Sequence, residues 1–133
     1  MAFVAGLATG AHAATTERVQ VTGEIIDTWC YLSDIMFSEG TAHHQCAIWC
    51  AVGGVPVGIL DGEGNVYVVL KMEEDTNNVS NPAIFKIQTH EVSVDGDLYE
   101  RDGVKYLLVN QVVDDNGIVN VNHEDWGIQP FGE

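Results

Sequence analysis

Val19-Gln20-Val21-Thr22-Gly23-Glu24-Ile25 and Val92-Ser93-Val94-Asp95-Gly96-Asp97-Leu98 follow one pattern, V-x-V-x-G-acid-apolar. Each alternates apolar and polar residues with period two, the mark of a half-buried strand. Val19, Val21 and Ile25 take one face; Gln20, Thr22 and Glu24 take the other. Each segment also carries a glycine at its middle, where the missing side chain lets a strand bend. Curved strands of this kind allow a small barrel to close on itself. The pair Ile25-Ile26 adds a bulge or bend beyond Gly23. The first strand is expected to start near Arg18 and run through Asp27 to Tyr31.

Outward from these two strands the chain reads as short β elements. Residues 56–60 and 66–71, joined by the Gly-rich turn at 61–65, form a hairpin. A polar patch at 73–81 follows; its Asn78-Val79-Ser80 is formally a glycosylation acceptor in a eukaryotic secretory pathway. Residues 82–87 suit a short helix with Asn81 as cap and Pro82 in the first turn. The second bent strand covers 89–100, and Arg101-Asp102-Gly103 turns the chain into a strand at 104–113. That strand is apolar on both faces, as in a covered or central position. A turn at 114–117 and a weak strand at 118–121 are expected next. The tail at 123–133 has no period. Long bent strand, hairpin, short helix, bent strand and final strand give an all-β fold with short helices. The plan is an OB-fold-like five-stranded Greek-key barrel with an enlarged, partly helical connection between strands 1 and 2. An open sandwich or meander is the competing architecture. The domain spans 14–122, with the enlarged connection at 27–54.

The chain has 133 residues, enough for one domain with its own core. Twenty acidic residues against five basic ones give a formal charge of −15. Such a field repels phosphate backbones and argues against a nucleic-acid partner. Residues 1–13 read as a remnant signal peptide: an apolar run at 3–9 is followed by small residues, Ala11 and Ala13, at the two positions a signal peptidase reads before the cut near Ala14. The run is too short to span a bilayer. A periplasmic or secreted location follows, where thiols can oxidise.

The connection at 27–54, DTWCYLSDIMFSEGTAHHQCAIWCAVGG, holds all three cysteines, Cys30, Cys46 and Cys50, and two histidines, His43 and His44. Residues 41–52 are expected to be helical, with Thr41 as cap and Gly53-Gly54 as terminator. At about 100° per residue, His43, Cys46 and Cys50 share one face and His44 points away. Cys30, expected at the end of the first strand, can approach that face. Three thiolates and an imidazole suit zinc or copper(I). The metal set is therefore Cys30, His43, Cys46 and Cys50. His43 and Cys50 are about 10.5 Å apart in helical rise, so His44, Asp27, Met36 or water are alternative fourth ligands. A disulfide from Cys30 to Cys46 or Cys50, contributing about 3 kcal/mol, or one between Cys46 and Cys50 across a helical turn, is the competing use of the thiols. A thiol redox centre at Cys46, nearest the helix start, is the third. His90 and His123 read as surface histidines. Trp29, Trp49 and Trp126 read as core or loop-packing residues. No hydrolase elbow, phosphate loop or dinucleotide fingerprint is present.

Gly23, Glu24, Asp27, Cys30 and Tyr31 fit G-E-x-x-D-x-x-C-Y. His43, Cys46, Ala47 and Cys50 fit H-x-x-C-A-x-x-C, and Gly54, Pro56 and Gly58 fit G-x-P-x-G-I-L. In these motifs, which cover roughly the middle third of the chain, it resembles a group of small exported bacterial OB-fold-like proteins. The resemblance favours His43 over His44 and implies no activity. The expected function is an exported metal-binding protein with a structural, metal-handling or electron-transfer role. The alternative is a stapled interaction module, a subunit of an envelope or surface assembly.

Overall fold

The structure, a computed structural model, describes residues 13–35, 37–72 and 82–121. Five strands, β1 (Thr15–Asp27), β2 (Val57–Asp61), β3 (Val66–Met72), β4 (His90–Arg101) and β5 (Val104–Ile118), close a ring in the order β1-β2-β3-β5-β4. The sheet is mixed: β3 and β5 run parallel, and the other neighbours are antiparallel. Three short helices, α1 (Thr28–Ser33), α2 (Gly40–Val52) and α3 (Pro82–Phe85), complete the described residues.

The two expected bends are where the ring turns. β1 pairs with β4 from Thr15 to Glu24 and with β2 from Gly23 to Asp27, so Gly23 serves both neighbours. A Cβ on Gly23 would collide with the Leu60 carbonyl oxygen, and one on Gly96 would lie 2.5 Å from that of Leu108. Backbone cannot yield as a side chain can, so only glycine lets neighbouring strands approach this closely. The ladder between β4 and β5 also shifts register beside Gly96, which adds twist at the bend.

The period-two apolar residues fill the ring. Val21 and Ile25 of β1, Ile59 of β2, Val92, Val94 and Leu98 of β4, and Leu107 and Val109 of β5 form one buried cluster. Each such side chain contributes about 1.5–3 kcal/mol on leaving water. Ala51 of α2 and Ile84 of α3 join the same cluster.

Three local expectations are corrected. Cys30 and Tyr31 are helical, because Asp27 ends β1 and its carboxylate accepts the Cys30 N–H at 3.1 Å as the cap of α1. The turn expected at 114–117 is instead part of β5, whose ladder with β4 continues to His90↔Ile118. Its extra residues are absorbed as an irregularity between His90 and Val92. Trp29 and Trp49 are 65% and 69% exposed, not packed inside. The segment 1–12, Met36, the patch 73–81 with its Asn78 acceptor and Asn81 cap, and the tail 123–133 with His123 and Trp126 lie outside the described residues. No helix among the described residues is long and apolar enough to cross a membrane.

Candidate metal centre

Two helices bring the thiols together at one end of the barrel. Cys30 comes from α1, one turn after its Asp27 cap; Cys46 and Cys50 are successive turns of α2. α2 begins one residue earlier than expected, and Thr41 does not cap it. Glu24 of β1 reaches across and accepts the Gly40 N–H at 2.5 Å, while the Thr41 hydroxyl exchanges hydrogen bonds with Val121. The far end stops where Gly53, Gly54 and Val55 donate back to Trp49, Ala51 and Cys50 carbonyls. His43, Ala47 and Ala51 form the buried stripe of the helix.

All three cysteines are free thiols. The Sγ atoms of Cys30, Cys46 and Cys50 lie within 4.8 Å of one another. A second set, Asp27, Cys30 and His43, is drawn together within the same distance. His43 therefore adjoins Cys30 but stands one layer behind the thiol triangle, as the helical rise between positions 43 and 50 requires. His43 Nε2 faces Asp27 Oδ2 at 3.6 Å, with both side chains fully buried. His44 turns elsewhere: its Nδ1 lies 2.9 Å from the Gln88 carbonyl and 2.8 Å from Thr89 Oγ1.

Asp27 is the electrostatic pivot. Burial pushes its carboxyl up, but hydrogen bonds from the Cys50 thiol, the Cys30 N–H and the Cys30 thiol outweigh it. Together with the His43 ring they hold it below the ordinary carboxylate range. The thiols respond in the opposite sense. Burial, then the facing carboxylate, pushes Cys30 up to about 12. Cys50 is pushed up to about 12, first by its hydrogen bond to Asp27 and then by burial. At neutral pH these two are protonated donors gathered on one buried anion. A redox nucleophile needs the reverse, a thiol of lowered pKa, so Cys30 and Cys50 are poor candidates for that work.

The donor set fits a soft cation. Tetrahedral zinc–thiolate bonds of about 2.3 Å set sulfurs about 3.8 Å apart, within reach of small side-chain rotations here. Asp27 Oδ2, buried and without a hydrogen-bond partner among the described residues, supplies a negative charge that a cation would satisfy. Cys30 is buried, whereas Cys46 and Cys50 are partly exposed, so the triangle opens to solvent on one side. A groove of about 590 Å³ is lined by Trp29 and Leu32 of α1 and by Val55 and Pro56. No family model, curated protein or solved structure matches this chain.

Sequence reading missed two features of this end. One is the burial of Glu24, for which the adjacent Ile25-Ile26 pair was a signal: consecutive apolar residues mean that both faces of β1 are covered there. The other is the exposure of Trp29 and Trp49 on the helices that carry the thiols.

Proposed function

We propose that this chain is an exported, OB-fold-like protein that holds one transition-metal ion, zinc or copper(I), between α1 and α2. Cys30, Cys46 and Cys50 supply three thiolates, and the His43–Asp27 pair behind them supplies the fourth donor. The observation that carries this reading is the convergence of three free thiols from two separate helices within 4.8 Å. The strand order β1-β2-β3-β5-β4 supports the OB-fold reading. The export reading, and membership of the exported bacterial group, rest on sequence segments alone. The partial exposure of Cys46 and Cys50 would give exchange partners access to the ion, which favours metal handling or electron transfer over a buried structural ion. Metal analysis of protein purified without chelators tests the proposal. About one equivalent with three protected thiols is expected; less than about 0.2 equivalents, with a disulfide present, refutes it.

A second reading has its own observation. Trp29, Leu32, Trp49 and Val52 are all more than 60% exposed, and exposed apolar groups in such number mark interaction surfaces. The chain would then serve as an accessory subunit of an envelope or surface assembly. Replacing Trp29 and Trp49 by serine would release such a partner while leaving metal content unchanged.

A further inference from the structure

The donors at the helical end of the barrel fall into two triads. Cys30, Cys46 and Cys50 make the first; Asp27, Cys30 and His43 make the second. Within each triad the ligand atoms lie within 4.8 Å of one another, and Cys30 belongs to both. The second triad is the deeper one: Asp27, Cys30 and His43 are 2%, 3% and 0% exposed. β1 supplies Asp27, α1 supplies Cys30 and α2 supplies His43, so three separate elements bring these atoms together. Asp27 Oδ2 and His43 Nε2 face each other at 3.6 Å. That is longer than an N–H···O hydrogen bond of about 2.7–3.2 Å. Asp27 Oδ2 has no hydrogen-bond partner among the described residues, and a buried carboxylate oxygen left so is costly. The separation is close to what an ion imposes: nitrogen and oxygen bound tetrahedrally to zinc at about 2.0–2.1 Å stand about 3.4 Å apart.

Charge makes the same demand. With its thiols ionised by metal, the cluster gathers three thiolates and one carboxylate. A single divalent ion balances half of that charge, and a second balances the rest. An unbalanced remainder is expensive where the groups are buried. The rise of about 10.5 Å between positions 43 and 50 keeps one ion from serving both ends of the cluster. A thiolate sulfur, in contrast, keeps lone pairs for a second ion, and Cys30 stands where the triads meet.

We propose that the centre takes two divalent ions bridged by the Cys30 thiolate, one on the thiol triangle and one on Asp27, Cys30 and His43. The inference rests on the thiol site proposed above and adds an ion to it. Zinc fits the second triad, because it accepts oxygen, nitrogen and sulfur donors and tolerates three protein ligands with water in the fourth position. With one ion bound, the His43–Asp27 pair completes its shell. With two, the ion on the triangle takes its fourth ligand from the solvent side, where Cys46 and Cys50 are partly exposed. Those two cysteines are the members of the triads that reach solvent, so the triangle loads first and the buried triad second.

The test uses cadmium(II), as an NMR-active isotope, titrated into the reduced, metal-free full chain. The first equivalent should give one cadmium resonance in the thiolate-rich range, with all three thiols protected from alkylation. The second should add a resonance shifted towards the range of mixed oxygen, nitrogen and sulfur donors. Asp27→Asn keeps a side chain able to cap α1 and should lower bound cadmium from about two equivalents to about one, with the first resonance retained. His43→Gln should do the same. A single equivalent in the wild type overturns the second ion and leaves the thiol site standing, whereas no bound cadmium overturns both. A second resonance that persists in both variants puts that ion elsewhere and also overturns the bridged pair.

Discussion

Glu24→Gln isolates the cost of a buried charge. Glu24 lies at the seam between β1 and α2, 8% exposed, with its Oε1 on the Gly40 N–H. Burial pushes its carboxyl up to about 7; the Gly40 hydrogen bond opposes this, and Glu39 and Glu91 add to it. In the unfolded chain the group titrates near 4.5. Between those values the folded state holds a proton that the unfolded state has released. Stability from this group is therefore complete below about pH 4.5 and is lost as pH rises towards 7. The difference of about 2.5 units corresponds to about 3 kcal/mol at about 1.4 kcal/mol per unit. Glutamine keeps an acceptor for Gly40 and removes the titration. Urea unfolding of metal-free wild type and variant, compared near pH 4.5 and about pH 8, reads the difference directly. The variant should gain about 2–3 kcal/mol on wild type between the two conditions. Parallel stability profiles, differing by less than about 0.5 kcal/mol across the range, would refute the buried-acid reasoning.

Four further outcomes follow from the same structure. Metal affinity should climb steeply with pH, by at least about a hundredfold per unit near neutrality, because Cys30 and Cys50 must each lose a proton held up to about 12; competition against a chelator of known pH dependence measures the slope, and a flat profile refutes it. Asp27→Asn removes the anion that both thiols face, so thiolate absorbance should appear at lower pH, with the larger fall at Cys50, where Asp27 is the leading cause. Gly23→Ala should cost about 3 kcal/mol or prevent folding, because its Cβ meets the Leu60 carbonyl. Gly62→Ala, with nothing within 4 Å of its Cβ, should leave the urea midpoint within about 0.5 kcal/mol of wild type.

The strands were legible because their signals are local. Period two, glycine at mid-strand and Gly-rich turns all act within a few residues, and each strand of the ring coincides with such a signal. What failed was arbitration between neighbours. Asp27 to Tyr31 continues the apolar character of β1, and nothing local says that the strand stops. The stop is set by the Asp27 side chain capping Cys30, which also places that carboxylate among the thiols. Likewise Asp114-Asp115-Asn116-Gly117 has the composition of a turn. β4 supplies a ladder and side-chain partners, His90 for Asp115 and Glu91 for Asn116, that make extended pairing better. Long-range partners override local propensity in both places.

The convergence of the three cysteines was legible in the sequence, but the layering behind them was not. Helical spacing placed Cys46 and Cys50 together, and the rise from position 43 to 50 already argued that one ion could not comfortably reach both ends. The structure resolves that strain by splitting the donors into two sets that share Cys30, with His43 facing Asp27 instead of the open triangle. No sequence pattern reveals that a cap residue is also an electrostatic partner, since capping and ligand tuning ask for the same carboxylate. Yet the double use has a consequence for loading. While Asp27 holds their protons, Cys30 and Cys50 stay thiols rather than thiolates. A cation that displaced those protons would meet the same carboxylate, which already faces His43 at 3.6 Å. If the proposed ion binds, its entry and the release of the Cys30 and Cys50 protons would be coupled at Asp27, so these protons should leave together rather than singly.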